Sequence, residues 1–243
     1  MAAVGSNSPI IGMVLSLFIG ISLGANVIIA RFIGKKNIQG VHAAVHTAIL
    51  VALGCGVAMA VAGELLVEPL LRLLSVPEEI FDLAVLYLRV FWLAMPFILL
   101  YNFESSIFRS QGDTRTPLYC LIASGITKFF LNLFFILVLD MSVEGVAIGT
   151  IVATALSSAM LFYFLCRSQT EIRVRLTEFH VDKRILLPML RIGLPAGMQG
   201  MVFALSNLCI QSAINELGPD VMAASAAAFN LGNLYLLPDQ RPF

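Results

Sequence analysis

Charge is what this sequence has least of. Asp, Glu, Lys and Arg make up 12% of its 243 residues, where a soluble domain carries about 25%. Fifteen basic and fifteen acidic residues cancel to a formal net charge of zero. No excess of one sign is left to hold a polyanion, so nucleic acid is excluded as a partner. The four cysteines, Cys55, Cys120, Cys166 and Cys209, fall one to an apolar stretch, with no Cys-x-x-Cys and no histidine beside them. They read as small packing groups and not as metal ligands. His42 and His46 stand four apart without a third ligand, a pattern of helix ends more than of metal centres. No Ser/His/Asp grouping, phosphate loop or paired ligand set is present, so the sequence reads as neither an enzyme nor the holder of a cofactor. Met1–Gly5 carries no positive charge ahead of the first apolar stretch, and so no cleavable signal is expected.

What the sequence does have is long apolar runs. Hydrophobic residues are 59% of the chain. A bilayer core about 30 Å thick needs roughly 20 apolar residues per helix. Seven runs qualify: about 9–30, 43–63, 84–105, 117–139, 144–165, 190–215 and 221–238. They are too long, and too apolar on every face, to be the short alternating strands of a membrane barrel. Helices satisfy every backbone group internally in lipid. The expected fold is an all-α integral membrane protein, a multispanning bundle of about seven transmembrane helices, with membrane lipids as its surroundings.

The scarce charges are sorted. Connectors after odd-numbered helices hold Arg31, Lys35, Lys36, Arg109, Arg115, Arg167, Arg173, Arg175, Lys183, Arg184 and Arg191. Those after even-numbered helices hold Arg72 and nine acids. Cytoplasmic connectors collect Lys and Arg. Residue 1 is therefore expected outside and connectors 31–42, 109–116 and 166–190 in the cytoplasm. An outward first residue, together with the ending Pro238-Asp-Gln-Arg-Pro-Phe243, reads as a chain truncated at both ends. The polar stretch 167–189 divides the chain: 1–166 as a helix bundle lacking its first helix, 167–189 as a cytoplasmic connector with a short interfacial helix near its end, and 190–243 as two helices of a second, incomplete lobe. Met1-Ala-Ala and Met222-Ala-Ala open the first and seventh runs alike, a weak sign of duplicated halves.

Four stretches carry a family likeness: Gly20-Ile-Ser-Leu-Gly24-Ala-Asn26 running on to Ala30-Arg-Phe-Ile-Gly-Lys-Lys36; Pro96, then Tyr101-Asn-Phe-Glu104 and Arg109-Ser-Gln-Gly-Asp-Thr-Arg-Thr-Pro117; Val143-Glu-Gly-Val-Ala-Ile-Gly-Thr150; and Arg191-Ile-Gly-Leu-Pro-Ala-Gly197. The Arg-x-x-Gly-Asp-Thr-x-x-Pro connector is the most specific. Together they resemble the multidrug and toxic compound extrusion (MATE) family in its DinF-like and NorM-like bacterial branches, over nearly the whole chain. The resemblance implies two six-helix lobes in a bacterial inner membrane, of which this chain looks like helices two to eight, with the missing lobe or a partner chain completing it. It implies export of small amphipathic organic, often cationic, compounds against Na⁺ or H⁺ by alternating access. A lipid-linked oligosaccharide or lipid flippase of the same superfamily, or a non-transporting remnant, is the alternative.

Charges inside the hydrocarbon are functional candidates by default. Lys128 lies eleven residues past Pro117, about 16 Å along the helix and so near mid-bilayer. Asn132 follows one turn later, and Glu104 sits on the preceding helix, where a Lys128–Glu104 pair is expected if the helices are neighbours. The resemblance implies that Lys128, Asn132 and Thr150 occupy places where some relatives bind a coupling cation; the Lys128 ammonium then stands where the cation would be. Where NorM-like members carry a cation-binding Glu, Phe203 stands here. Gln199, Asn207 and Gln211 form a polar stripe on the sixth helix that either lines a cavity or joins helices. Pro195 and Gly197 are expected to bend that helix, and Arg89 to snorkel to the surface. In the connector, Gly112 suits a tight turn, Asp113 and Thr114 suit capping, Pro117 suits a first helical turn, and Arg109 faces lipid headgroups.

Overall fold

The computed structural model describes residues 2–73, 78–138, 143–174 and 181–216. Six helices run through them: α1 (Ala2–Gly34), α2 (Ile38–Leu73), α3 (Glu78–Ser110), α4 (Arg115–Leu137), α5 (Val143–Arg167) and α6 (Lys183–Glu216). All six are long and apolar enough to cross a membrane. The seventh run, 221–238, and the Met222 repeat lie outside the described residues. Each of the first three helices extends beyond its apolar run at both ends, because the polar residues flanking a span keep their backbone hydrogen bonds as the chain enters the interface. α6 is the marked case. It begins at Lys183, so Leu186–Leu190 form its early turns instead of a separate interfacial helix, and it continues through both Pro188 and Pro195.

α3 is the axis of the bundle. It packs against α1, α2 and α5 and only grazes α4. Six consecutive residues, Phe103 to Phe108, are all buried, which a helix achieves only when neighbours surround it. α4 is held almost entirely by α5 and buries only Pro117, Cys120 and Ser124; its Phe129, Phe130 and Leu137 are exposed. In water such a face would be a liability, but in hydrocarbon it is simply a lipid surface. Cys120 joins the core, Cys55 and Cys166 pack at its edge, and Cys209 is exposed.

α6 lies along α1. Both carry a Gly-x-x-x-Gly spacing, Gly20/Gly24 on α1 and Gly193/Gly197 on α6. A Cβ on Gly20 would strike the backbone of Gly197, and one on Gly24 the Met189 carbonyl. One on Gly193 would strike the Ile21 backbone, and one on Gly197 that of Leu17. The two backbones touch because four side chains are absent, the arrangement small-xxx-small motifs permit in lipid.

The connectors on the Lys/Arg-rich end are well anchored. Lys36 adopts a left-handed conformation (φ 54°), and the Asn37 side chain accepts from the Gly40 N–H at 3.0 Å to start α2. In the long connector Ile172 and Val174 are buried, Gln111 bonds Thr170 at 3.1 Å, and the Asp182 N–H donates to the Thr47 hydroxyl at 3.2 Å.

Candidate functional site

The connector between α3 and α4 is built as its residues suggest. Gly112 has φ +82°, a left-handed turn at little steric cost. Asp113 Oδ1 accepts from the backbone N–H of Arg115 (3.0 Å) and Thr116 (3.1 Å), and Oδ2 accepts from the Thr116 hydroxyl (2.6 Å). These bonds satisfy the orphan donors at the start of α4. Thr114 is the N-cap residue by position, but its side chain makes no capping bond; Asp113 takes that work. Burial pushes the Asp113 carboxyl up, yet the Thr116 hydroxyl, the two backbone donors and the Arg115 charge outweigh it, and the group is held below the usual carboxylate range. Pro117 is buried and its carbonyl accepts from the Tyr101 hydroxyl at 3.3 Å. Arg109 turns back along α3, donating to the Ser105 carbonyl at 3.2 Å and the Ser106 hydroxyl at 3.5 Å.

From there a polar chain crosses to α1. The Ser106 hydroxyl bonds Ser22 at 3.2 Å, and the Asn26 amide donates to the Ser106 carbonyl at 3.1 Å. Ser22 in turn donates to the Ile19 carbonyl at 2.8 Å. On this side of α3 each of these polar groups has a partner.

The expected Lys128–Glu104 pair does not form. Glu104 is fully buried on α3 and faces α5, where the Ser158 hydroxyl donates to its Oε2 at 3.4 Å; its Oε1 has no partner among the described residues. Lys128 stands half-buried on α4, a helix that barely meets α3. Among the described residues the ion pairs are those of Arg89, with Glu64 at 3.1 Å and Glu68 at 2.9 Å. Arg89 therefore bridges two carboxylates one turn apart on α2 as well as reaching the surface. That partnership was legible in principle: antiparallel α2 and α3 bring Gly56 against Pro96, and the same register carries Glu64 and Glu68 to Arg89.

Asn132 and Thr150 are brought to one level by the packing of α4 on α5. The Asn132 amide oxygen lies against Gly149, is buried and lacks a partner among the described residues. Thr150 is the next residue on α5, half-buried, with its carbonyl accepting from the Thr154 hydroxyl at 2.9 Å. Lys128 is one turn before Asn132 on the same face of α4. Gln199 and Asn207 are exposed on α6, as are Ser206 and Phe203. The side chain of Gln211 lies outside the described residues. Near the opposite end, Val14, Met59, Gly63, Leu66, Leu88 and Trp92 enclose a nearly apolar cavity of about 170 Å³ between α1, α2 and α3. The glycine seam of α1 and α6 also escaped the sequence reading as a contact, although Gly-x-x-x-Gly on two apolar helices is its signal.

The chain belongs to the MatE family, whose model matches residues 1–134. It is 29% identical over 247 residues to a Bacillus subtilis protein named as a probable multidrug resistance protein, YoeA, covering 98% of this chain and 53% of the relative. A Thermotoga maritima protein named as a probable multidrug resistance protein, NorM, is 27% identical, and a Shewanella oneidensis protein named as an FAD transporter is 23% identical. The chain spans about half the length of these relatives. Among solved structures, an inward-facing multidrug resistance MATE family transporter of the MOP superfamily superposes with a TM-score of 0.81 at 25% identity, covering 98% of this chain and 54% of that one. An outward-facing one gives 0.85 at 24% identity and the same 98% of this chain, a likeness of fold. The chain is thus a multi-pass membrane protein of a transporter family.

Proposed function

We propose that this chain supplies one lobe and the beginning of the second in an exporter of amphipathic organic compounds. It would work by alternating access, in exchange for Na⁺ or H⁺ and with the missing lobe or a partner chain as the opposite wall. The observation that carries this reading is the α1–α6 seam. It joins helices from either side of the long connector with backbone against backbone at four glycines. A contact made by small residues is one that two rigid bodies can make and break with little repacking, which is what rocking of one lobe on another requires. The residues 1–166 and 190–243 are then the two bodies, and 167–189 is the link between them. The charge bias supports an orientation with residue 1 outside and the Lys/Arg-rich connectors in the cytoplasm, in a bacterial-type inner membrane. The test is ethidium accumulation in cells that express the protein from its natural reading frame and lack other efflux pumps. Lower accumulation than in empty-vector cells, abolished by Gly197→Leu, supports the reading. Equal accumulation, for ethidium and for a panel of amphipathic cations, sinks it.

A second reading rests on Lys128. Lys128 is half-buried on a membrane-spanning helix, and among the described residues no carboxylate lies within 4 Å of it. It favours an anionic amphipath, such as a lipid-linked sugar diphosphate, over a cationic one. Lys128→Ala separates the two: cation export that improves while anionic transport fails supports this second reading.

A further inference from the structure

The two sides of α3 treat polar groups differently. Ser106 and Glu104, two residues apart, point about 200° from each other around the helix. The Ser106 side is a closed set of bonds to Ser22, Asn26 and Arg109. The Glu104 side is not. Its carboxyl is fully buried between α3 and α5; among the described residues its bond is a long one from Ser158, and one oxygen has no partner. Glu104 sits six residues, about 9 Å, before the end of α3.

Among the described residues, no Lys or Arg lies within 4 Å of it. On α5 Ser158 bonds it and the Cys166 thiol is near enough to feel its charge, as is the Cys120 thiol on α4; Arg173 of the long connector acts on the same Cys166 thiol. α1 brings Ser22 and Asn26, both occupied on the far side. On α2 the antiparallel register brings His46 near this depth, with its ring bonded to the His42 carbonyl at 2.7 Å. On α3 itself, Tyr101 bonds the Pro117 carbonyl and Arg109 is turned toward Ser105 and Ser106.

An ionised carboxylate with one hydroxyl partner and no counter-charge is among the costliest groups a protein can bury. A proton removes that cost. A metal ion would need several more oxygens than the Glu104 carboxyl and the Ser158 hydroxyl provide. We propose that Glu104 is a proton-binding site between α3 and α5, loaded in this packing and emptied only when the two helices part and water reaches the carboxyl.

Infrared difference spectroscopy on the purified protein in lipid tests this, because a protonated carboxylic acid has a carbonyl stretch well separated from that of a carboxylate. Near neutral pH the wild type should show a buried acid band that is slow to exchange in D₂O and absent from Glu104→Gln. Gln has the size and hydrogen-bonding of the neutral acid and should fold normally. In Ser158→Ala the band should persist and move to higher frequency, as a carbonyl that loses a donor does. Two results overturn the proposal: no acid band that Glu104→Gln removes, or a band that disappears on adding Na⁺ at constant pH, which would make the site one for a monovalent metal ion. The measurement reads the proton itself, so its failure would leave the export reading standing.

Discussion

Helices α3 and α4 are consecutive, antiparallel and both rich in Leu, Ile and Phe, yet they live in different solvents. α3 is walled in by α1, α2 and α5, and Leu99, Phe103 and Ile107 on it are wholly buried. α4 touches little but α5 and gives Phe129 and Phe130 to the outside. The difference teaches where an intramembrane polar group has consequences. On α3 every polar side chain must be answered by a neighbour, and the one left half-answered, Glu104, stands out. On α4 Lys128 and Asn132 sit at the border between α5 and open lipid, where a missing partner need not come from this chain.

The sharpest way to break the comparison is to remove the same kind of group from both helices. Leu99→Ala should cost about 2–5 kcal/mol, since it leaves a cavity at a fully buried site. This is read as thermal unfolding in detergent. Next in size is Gly197→Leu. The new side chain meets the Leu17 backbone on α1, and overpacking of this kind costs about 1–3 kcal/mol. Drug accumulation should rise to the empty-vector level while the protein still reaches the membrane.

Smaller is Asp113→Asn, which weakens the start of α4 by about 1 kcal/mol or less. Its pH dependence has a definite sign. The folded carboxyl titrates below its unfolded value. Its contribution is therefore complete above the ordinary carboxylate range, and is lost as pH falls through the lower folded value. Melting curves taken from neutral to acid pH should show a gentler acid-side loss in the Asn variant than in wild type. Smallest is Phe130→Ala on the lipid face of α4. The side chain is 62% exposed, and the change should stay within about 0.5 kcal/mol. A loss like that of Leu99→Ala would mean that α4 is covered by protein and not by lipid.

Much of the architecture could be read along one dimension. Long apolar runs separated by charged connectors force helices, because no other element satisfies its own backbone in hydrocarbon. Gly112, Asp113 and Pro117 announced their turn and cap, since such bonds are local and a few residues contain all the partners. The candidate site was less legible. Lys128, Asn132, Thr150 and Glu104 were visible as polar groups in apolar surroundings, but their grouping was not. Lys128 and Glu104 looked like partners because their helices are consecutive, and the fold places Glu104 against Ser158, 54 residues away.

By itself, then, the sequence determined that this is a helical membrane protein, which stretches form its spans and how the turn between α3 and α4 is built, because those outcomes depend on solvent and on neighbours within a few residues. Only the tertiary structure decided that α3 is central, that α1 and α6 meet glycine to glycine, that Arg89 bridges Glu64 and Glu68, and that Glu104 is left with an unanswered oxygen. The physical reason is that hydropathy says a helix must avoid water, not which other helix it must touch. In lipid every apolar face is already content, so the choice of neighbours falls to a few small residues and polar side chains whose partners lie far along the chain.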